Sequence, residues 1–376
     1  MTPTDQRYEP SAQEPLFILA MDQRSSFAKA LFGLDEDAPE ADLAKMRDAK
    51  MVIYEGLHRA VASGLEVGRA GVLVDEHLGS EVARRAKADG LILAMPIEKS
   101  GTNLFELEYG KDYPEHLAAY DPDFFKVLVR YNPADEVADR TAQIERLAEV
   151  SAWAAKSGWR WLFELLVPPT REQLAQNEDQ FNFDRQARPG LTAETISAFS
   201  TGGVHPTVWK LEGYETTEGA EEVLRTVAAQ ADGPSECIVL GRNALMEQVE
   251  HWLSVAAPLP GYAGFAVGRS IWMAALQDLL AGRIDRGDAV ATIASRYRTL
   301  VGAYSAARRP GSGSGDSTEP FTWQHPQLTP DREALIRRAL AGADMRGTRV
   351  PAWMAATLLA EVDALRAEKG NETPGA

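Results

Sequence analysis

The sequence predicts an α/β chain built as one (β/α)8 TIM barrel with a short helical C-terminal extension. Short apolar runs recur eight times between Leu16 and Gly268, and amphipathic segments separate them. Several of these runs carry one ionisable residue inside or just after them. Runs that are apolar on both faces suit a parallel sheet covered by helices, and eight alternating units favour closure into a barrel. An open doubly wound sheet would need a glycine-rich dinucleotide turn after its first strand, and Met21 to Ser26 contain no glycine.

Residues 1–14 are polar and are expected to form a flexible N-terminus ahead of a barrel spanning 15–305. Leu16 to Met21 (LFILAM) reads as the first strand, bounded by Asp22 and Gln23. Helical patterning runs from Asp42 to Ser63, and Gly71 to Asp75 (GVLVD) repeats the arrangement of an apolar run closed by an aspartate. A helix from Gly79 to Ala88 leads to Leu91 to Met95 (LILAM). The remaining strands are expected at Phe124 to Tyr131, Trp161 to Val167, Val208 to Glu212, Cys237 to Gly241 and Gly264 to Gly268. Helices are expected between them at Glu136 to Ser157, Thr192 to Ser200, Glu218 to Gln230 and Met246 to Val255. A Gly/Ser/Pro-rich stretch over 306–325 reads as a linker, and 326–376 as a helical appendage with patterning at Asp331 to Ala341 and Pro351 to Lys369.

Bulk properties narrow the function. The chain of 376 residues is 45% hydrophobic, and its net charge is -16, from 55 acidic and 39 basic residues. Such a field opposes nucleic acid and anionic membrane, so neither is an expected partner, and an anionic substrate would need a local basic cluster. Cys237 is the single cysteine, which leaves no intrachain disulfide and no cysteine-rich zinc site. No apolar run approaches the roughly 18 residues of a membrane span, and no signal-peptide core opens the sequence, so a cytoplasmic setting is expected.

Strand parity brings four ionisable groups into one interior. Side chains alternate along a strand, so Phe124, Lys126 and Leu128 share a face, as do Leu162, Glu164 and Leu166, and Val208, Lys210 and Glu212. Asp22 has the parity of Ile18 and Ala20. A buried ammonium loses stabilisation of its charged form and can present a free amine to a carbonyl. Lys210 is therefore the candidate nucleophile, with Lys126 as a neighbouring cation, Glu164 as the proton carrier and Asp22 as the partner of a lysine or a substrate hydroxyl. A buried ion-pair network that only fixes barrel register is the structural alternative.

Gly241-Arg242 and Gly268-Arg269 end the last two strands, where barrels often bind phosphate. Arg24, after the first strand, is a further substrate-binding candidate. Asp75-Glu76-His77 is the tightest grouping of metal-ligand types, but the six histidines lack close ligand spacing, and no metal or cofactor is expected. Glu98-Lys99 reads equally as a surface ion pair or as part of an active-site rim. Tyr109, Tyr113 and Tyr131 fall in or beside loops of the same end.

The series LFILAMDQRSSF, GVLVDEHLG, MPIEKSG, FFKVLVRYNP, FELLVP, VWKLEG and GFAVGRSIW resembles class I, Schiff-base aldolase barrels of the tagatose-bisphosphate and sulfofructosephosphate aldolase type. It is most similar to the 2-deoxy-5-keto-D-gluconate 6-phosphate aldolase domain, from a family of uncharacterised domains often fused to a sugar kinase. The resemblance covers Pro15 to Tyr304 and leaves the tail outside it. It implies Lys210 as the Schiff-base lysine, with Lys126, Glu164 and Asp22 around it and phosphate at Gly241, Arg242, Gly268 and Arg269. The implied reaction is metal-independent cleavage of a phosphorylated keto sugar or keto acid to dihydroxyacetone phosphate and an aldehyde. Barrels of this kind often self-associate, so a homo-oligomer is an open expectation. A sugar-phosphate isomerase or decarboxylase using Glu164 or Asp22 as base without an imine is an alternative, and a non-catalytic phosphosugar sensor is another.

Overall fold

The computed structural model describes residues 14–65, 69–230 and 235–308. These fall in the first, Met1–Gly313, of two units into which the chain divides. The expected N-terminal segment up to residue 13, and the linker and appendage from residue 309, lie outside the described residues.

The strands are β1 Leu16–Ala20, β2 Ala70–Leu73, β3 Ile92–Pro96, β4 Phe124–Arg130, β5 Trp161–Leu166, β6 Val208–Glu212, β7 Glu236–Leu240 and β8 Tyr262–Val267. All pair in parallel in chain order, and β8 pairs with β1, so the sheet is a closed barrel. The helices are α1 Ser25–Phe32, α2 Glu40–Ala62, α3 Glu76–Ala88, α4 Tyr113–Tyr120, α5 Val137–Ser157, α6 Arg171–Gln176 and α7 Gln180–Asn182. They continue with α8 Arg188–Thr201, α9 Thr217–Gln230, α10 Met246–Ala256, α11 Arg269–Leu280 and α12 Arg286–Ala307. A π-helical turn, Phe183–Ala187, joins α7 to α8.

The alternating pattern builds two apolar layers. Leu16, Ile18, Ala20, Ile92, Ala94, Phe124, Leu162, Val208, Ile238 and Ala266 fill the barrel interior. The opposite faces pack beneath the helices, where Trp209 lies against Phe163 at 4.8 Å between ring centroids and Phe163 against Phe199 of α8 at 5.0 Å. Trp209 thus covers the outside of β6 and leaves Lys210 on the inner face.

The last helices fasten the seam of the barrel. Buried Tyr297 and Tyr304 of α12 donate to the carbonyls of Phe17 and Tyr262, each at 2.7 Å. Trp272 of α11 donates to the Ala20 carbonyl at 2.9 Å. A strand shift between β7 and β8 falls beside Gly264, whose φ of 123° excludes an L side chain and whose missing Cβ lets the Leu16 backbone close in.

Several boundaries differ from the sequence-based expectation, among them the start of α8 at Arg188 rather than Thr192, the end of β2 and the end of the barrel unit. β2 ends at Leu73 because the Asp75 carboxylate accepts from Leu78 N–H at 2.7 Å, capping α3 and starting it before Gly79. α12 continues past 305 to Ala307, so the barrel unit takes in the first residues assigned to the linker.

Candidate active site

The carboxyl ends of the strands bring Asp22, Glu98, Lys126, Glu164 and Lys210 to one mouth, around a cavity of about 390 Å³. Register explains the contacts. Glu164 on β5 lies beside Lys210 on β6, while Lys126 on β4 pairs with Leu162, one inward position lower. Glu164 Oε2 accordingly receives both ammonium groups, Lys210 Nζ at 2.8 Å and Lys126 Nζ at 2.9 Å. Lys126 Nζ also meets Asp22 Oδ2 at 2.8 Å and Glu98 Oε1 at 2.6 Å. One ammonium thus holds three carboxylates, one of which it shares with Lys210.

These groups are nearly excluded from water, with residue exposures of 1% for Lys126, 2% for Lys210, 7% for Asp22 and Glu98 and 8% for Glu164. Burial works against ionisation of Asp22, but Lys126 and Lys210 outweigh it and hold its carboxyl well below the usual range. Glu164 is lowered in the same way, its burial overcome by Lys126 and Lys210. Lys126 is raised above an ordinary lysine because Asp22, Glu164 and Glu98 more than offset its desolvation. It is therefore a fixed cation. Glu98 goes the other way: burial raises its pKa, the neighbouring Asp22 charge adds to that, and Lys126 and Arg24 pull back only in part.

The two Gly-Arg pairs have different environments. Arg269 opens α11 beside the cavity, and among the described residues its guanidinium has no ion-pair partner. Its partial burial lowers its pKa, with Glu164 and Asp22 opposing. Gly268 precedes it where a Cβ would strike the Ala20 carbonyl, so glycine allows β8 and the end of β1 to close on each other. Arg242 also lines the cavity, but it is held by Asp184 and by Glu212, the latter at 2.9 Å. Arg242 and Asn243 both have left-handed backbones, with φ of 43° and 61°. Of the two Gly-Arg arginines, the one without an ion-pair partner among the described residues is thus Arg269, at the start of α11.

Glu212 is a strut. Its Oε2 accepts from Val167 N–H at 3.0 Å and lies 3.9 Å from Arg188, joining β5, β6 and the π-helical turn through Asp184. Arg24 donates to the Glu98 carbonyl at 2.6 Å and to Glu108 at 2.8 Å, beside the cavity.

A family model described as "Uncharacterized protein conserved in bacteria (DUF2090)" matches residues 4–308. The chain belongs to the DUF2090 family. No curated protein sequence matches it. Among solved structures, this DUF2090 member is similar to Cgl0159 of Corynebacterium glutamicum, at 20% identity and a TM-score of 0.50, over 78% of this chain and 88% of that one. It is also similar to fructose-bisphosphate aldolase of Plasmodium falciparum, at 14% identity and a TM-score of 0.56, over 80% of this chain and 94% of that one. At these identities the likeness bears on the fold alone, a closed (β/α)8 barrel.

Other candidates in the DUF2090 chain are engaged elsewhere. Asp75, Glu76 and His77 point to separate partners: Asp75 to Lys50 and the α3 cap, Glu76 to His116 at 2.8 Å, and His77 to the Glu36 carbonyl at 3.0 Å. Tyr131 is core, packed on Phe199, and Tyr109 stacks on His116 at 3.6 Å. Lys50 is a buried cation that the sequence did not flag. From α2 it pairs with Asp75 and donates to the Gln23 carbonyl at 3.0 Å, fixing the loop that carries Asp22 and Arg24. Among the described residues no helix is long and apolar enough to cross a membrane.

Proposed function

We propose that this protein is a class I aldolase that cleaves a phosphorylated keto sugar or keto acid through an imine on Lys210. The observation that carries the proposal is the sharing of Glu164 Oε2 by two buried lysines at 2.8 and 2.9 Å. A lysine kept only for stability would need a carboxylate and nothing more. Here a permanently charged second lysine and a proton-accepting carboxylate flank the first, inside a cavity open to a small substrate.

The chemistry follows from these positions. The Lys210 amine adds to the substrate ketone, and Glu164 carries a proton from the nitrogen towards the carbinolamine hydroxyl, which leaves as water. The iminium then accepts the electron pair of the adjacent C–C bond as the aldehyde departs. Protonation of the enamine and hydrolysis of the imine release dihydroxyacetone phosphate. Lys126 keeps Asp22 ionised and ordered throughout. Arg269 and the start of α11 supply the local positive charge that a phosphate needs on an acidic protein.

The test is incubation with dihydroxyacetone phosphate and borohydride. Loss of activity with gain of one reduced adduct supports the imine, whereas turnover that survives borohydride would favour proton transfer by Glu164 or Asp22 without an imine. Cleavage products over a panel of keto-sugar 6-phosphates, a sulfonated sugar and 2-deoxy-5-keto-gluconate 6-phosphate would identify the aldehyde half.

A further inference from the structure

The cluster contains a carboxylate that the imine steps leave unused. Glu98 lines the cavity, yet it lies beyond the end of β3, carried by a short extended pairing between Glu98 and Leu107. Backbone bonds from Lys99 to Glu106 at 2.8 Å and from Glu108 to Ile97 at 2.9 Å fix that pairing. Arg24 clamps the Glu98 carbonyl at 2.6 Å. The side chain is therefore held, with Oε1 on Lys126 at 2.6 Å. Oε2 is buried and, among the described residues, has no hydrogen-bond partner. An unpartnered buried carboxylate oxygen is costly, and it is expected where a ligand supplies the missing donor. The terminal carboxylate torsion is soft, so either oxygen can face the cavity.

We infer that Glu98 is a catalytic base that takes the proton of the substrate hydroxyl next to the breaking C–C bond. This rests on the imine reading of Lys210. When the proton moves to Glu98, the O–H electron pair becomes the second C–O bond of the aldehyde and the C–C pair enters the enamine on Lys210. The proton stays on Glu98 until the enamine carbon takes it up after the aldehyde has left, so the carboxylate is restored.

The other two carboxylates suit this step poorly. Asp22 has both oxygens bonded, to Lys126 at 2.8 Å and to Gln23 at 3.2 Å, and Glu164 Oε2 is bound to two ammonium groups. Both are held below the ordinary carboxylate range by the lysines they touch, whereas Glu98 is raised by burial. The cluster also gains from the transfer. Three carboxylates face two ammonium groups, and neutralising Glu98 balances them. The charged groups around Glu98 are Lys126, Asp22 and Glu164 from the barrel, Arg24 from the first loop and Glu108 from the paired segment.

The experiment separates the steps in Glu98→Gln. Borohydride trapping of dihydroxyacetone phosphate reports imine formation. Condensation of dihydroxyacetone phosphate with glyceraldehyde, glyceraldehyde 3-phosphate, glycolaldehyde or malonic semialdehyde reports the C–C step, which uses the same base in reverse. Trapping is expected within about threefold of wild type and condensation slower by about 100-fold or more, the usual worth of a general base. Glu98→Asp should recover part of the loss. The wild-type condensation rate should also fall more steeply on the acid side than trapping, which needs the Lys210 amine but not Glu98, a comparison that holds even where the glutamine variant does not fold.

Condensation by Glu98→Gln near the wild-type rate would overturn the inference and leave the imine intact. Equal losses in both reactions, or acid limbs of equal steepness, would also overturn it, because Glu98 would then act through Lys126. A wild-type protein that traps no adduct would remove the imine reading, and this inference with it.

Discussion

Lys126→Met tests whether one ammonium holds the mouth of the barrel together. The variant keeps the side-chain length and removes a charge that meets Asp22, Glu98 and Glu164 within 2.9 Å. Removing one partner of a buried ion pair costs about 3–5 kcal/mol, because the other charge stays buried and unpaired. Here only Glu164 keeps a cation, Lys210 at 2.8 Å, so the upper end is expected, about 5 kcal/mol at pH 7.

The pH dependence gives the sign. In the wild type Asp22 and Glu164 are depressed, so their contribution is present above the unfolded carboxylate values near about 4 and is lost as pH falls through the depressed ones. Without Lys126, burial raises Asp22 to join Glu98. The folded variant then binds more protons than its unfolded chain above about pH 4, and its stability grows as pH falls. The assay is urea unfolding of both proteins from pH 8 to pH 5. The deficit of the variant should shrink by about 1–2 kcal/mol over that range, as raised carboxylates protonate. A deficit below about 1 kcal/mol at pH 7, or one constant with pH, would refute the assignment of Lys126 as the shared counter-ion.

Two further perturbations probe the surroundings. Arg269→Ala removes the guanidinium that lacks an ion-pair partner at the start of α11, and should raise the dihydroxyacetone phosphate concentration for half-maximal trapping by about tenfold or more, with the limiting trapping rate little changed. An unchanged concentration would place the phosphate elsewhere. Asp75→Asn keeps the α3 cap but strips Lys50 of its counter-ion, and should cost about 3–5 kcal/mol in urea unfolding at neutral pH. Burial already lowers the Lys50 pKa, and the loss of Asp75 lowers it further, so this deficit should grow as pH falls; a deficit that shrinks would contradict the pairing.

Much of the barrel was legible because its strands are apolar on both faces and a charge inside such a run has few explanations. Parity placed Lys126, Glu164, Lys210 and Asp22 on the inner surface, and the structure brings all four together. Glu98 lies beyond β3, yet it continues the inward parity of Ile92, Ala94 and Pro96, so the signal was present and stopped at the proline. Lys50 was hidden for a different reason. It sits in an amphipathic helix, where a lysine ordinarily faces water, and only the fold shows that Asp75 lies opposite it. Arg242 and Arg269 follow identical glycines in the sequence. Their difference comes from Asp184 and Glu212, which reach Arg242 from a π-helical turn and another strand, a convergence that no local motif encodes.

The most direct measurement is peptide mapping of the protein after borohydride reduction in the presence of dihydroxyacetone phosphate. Assignment of the imine to Lys210 predicts one reduced adduct, on the peptide containing Val208–Glu212, and none in Lys210→Ala. An adduct on Lys126, or active protein recovered without modification, would contradict it.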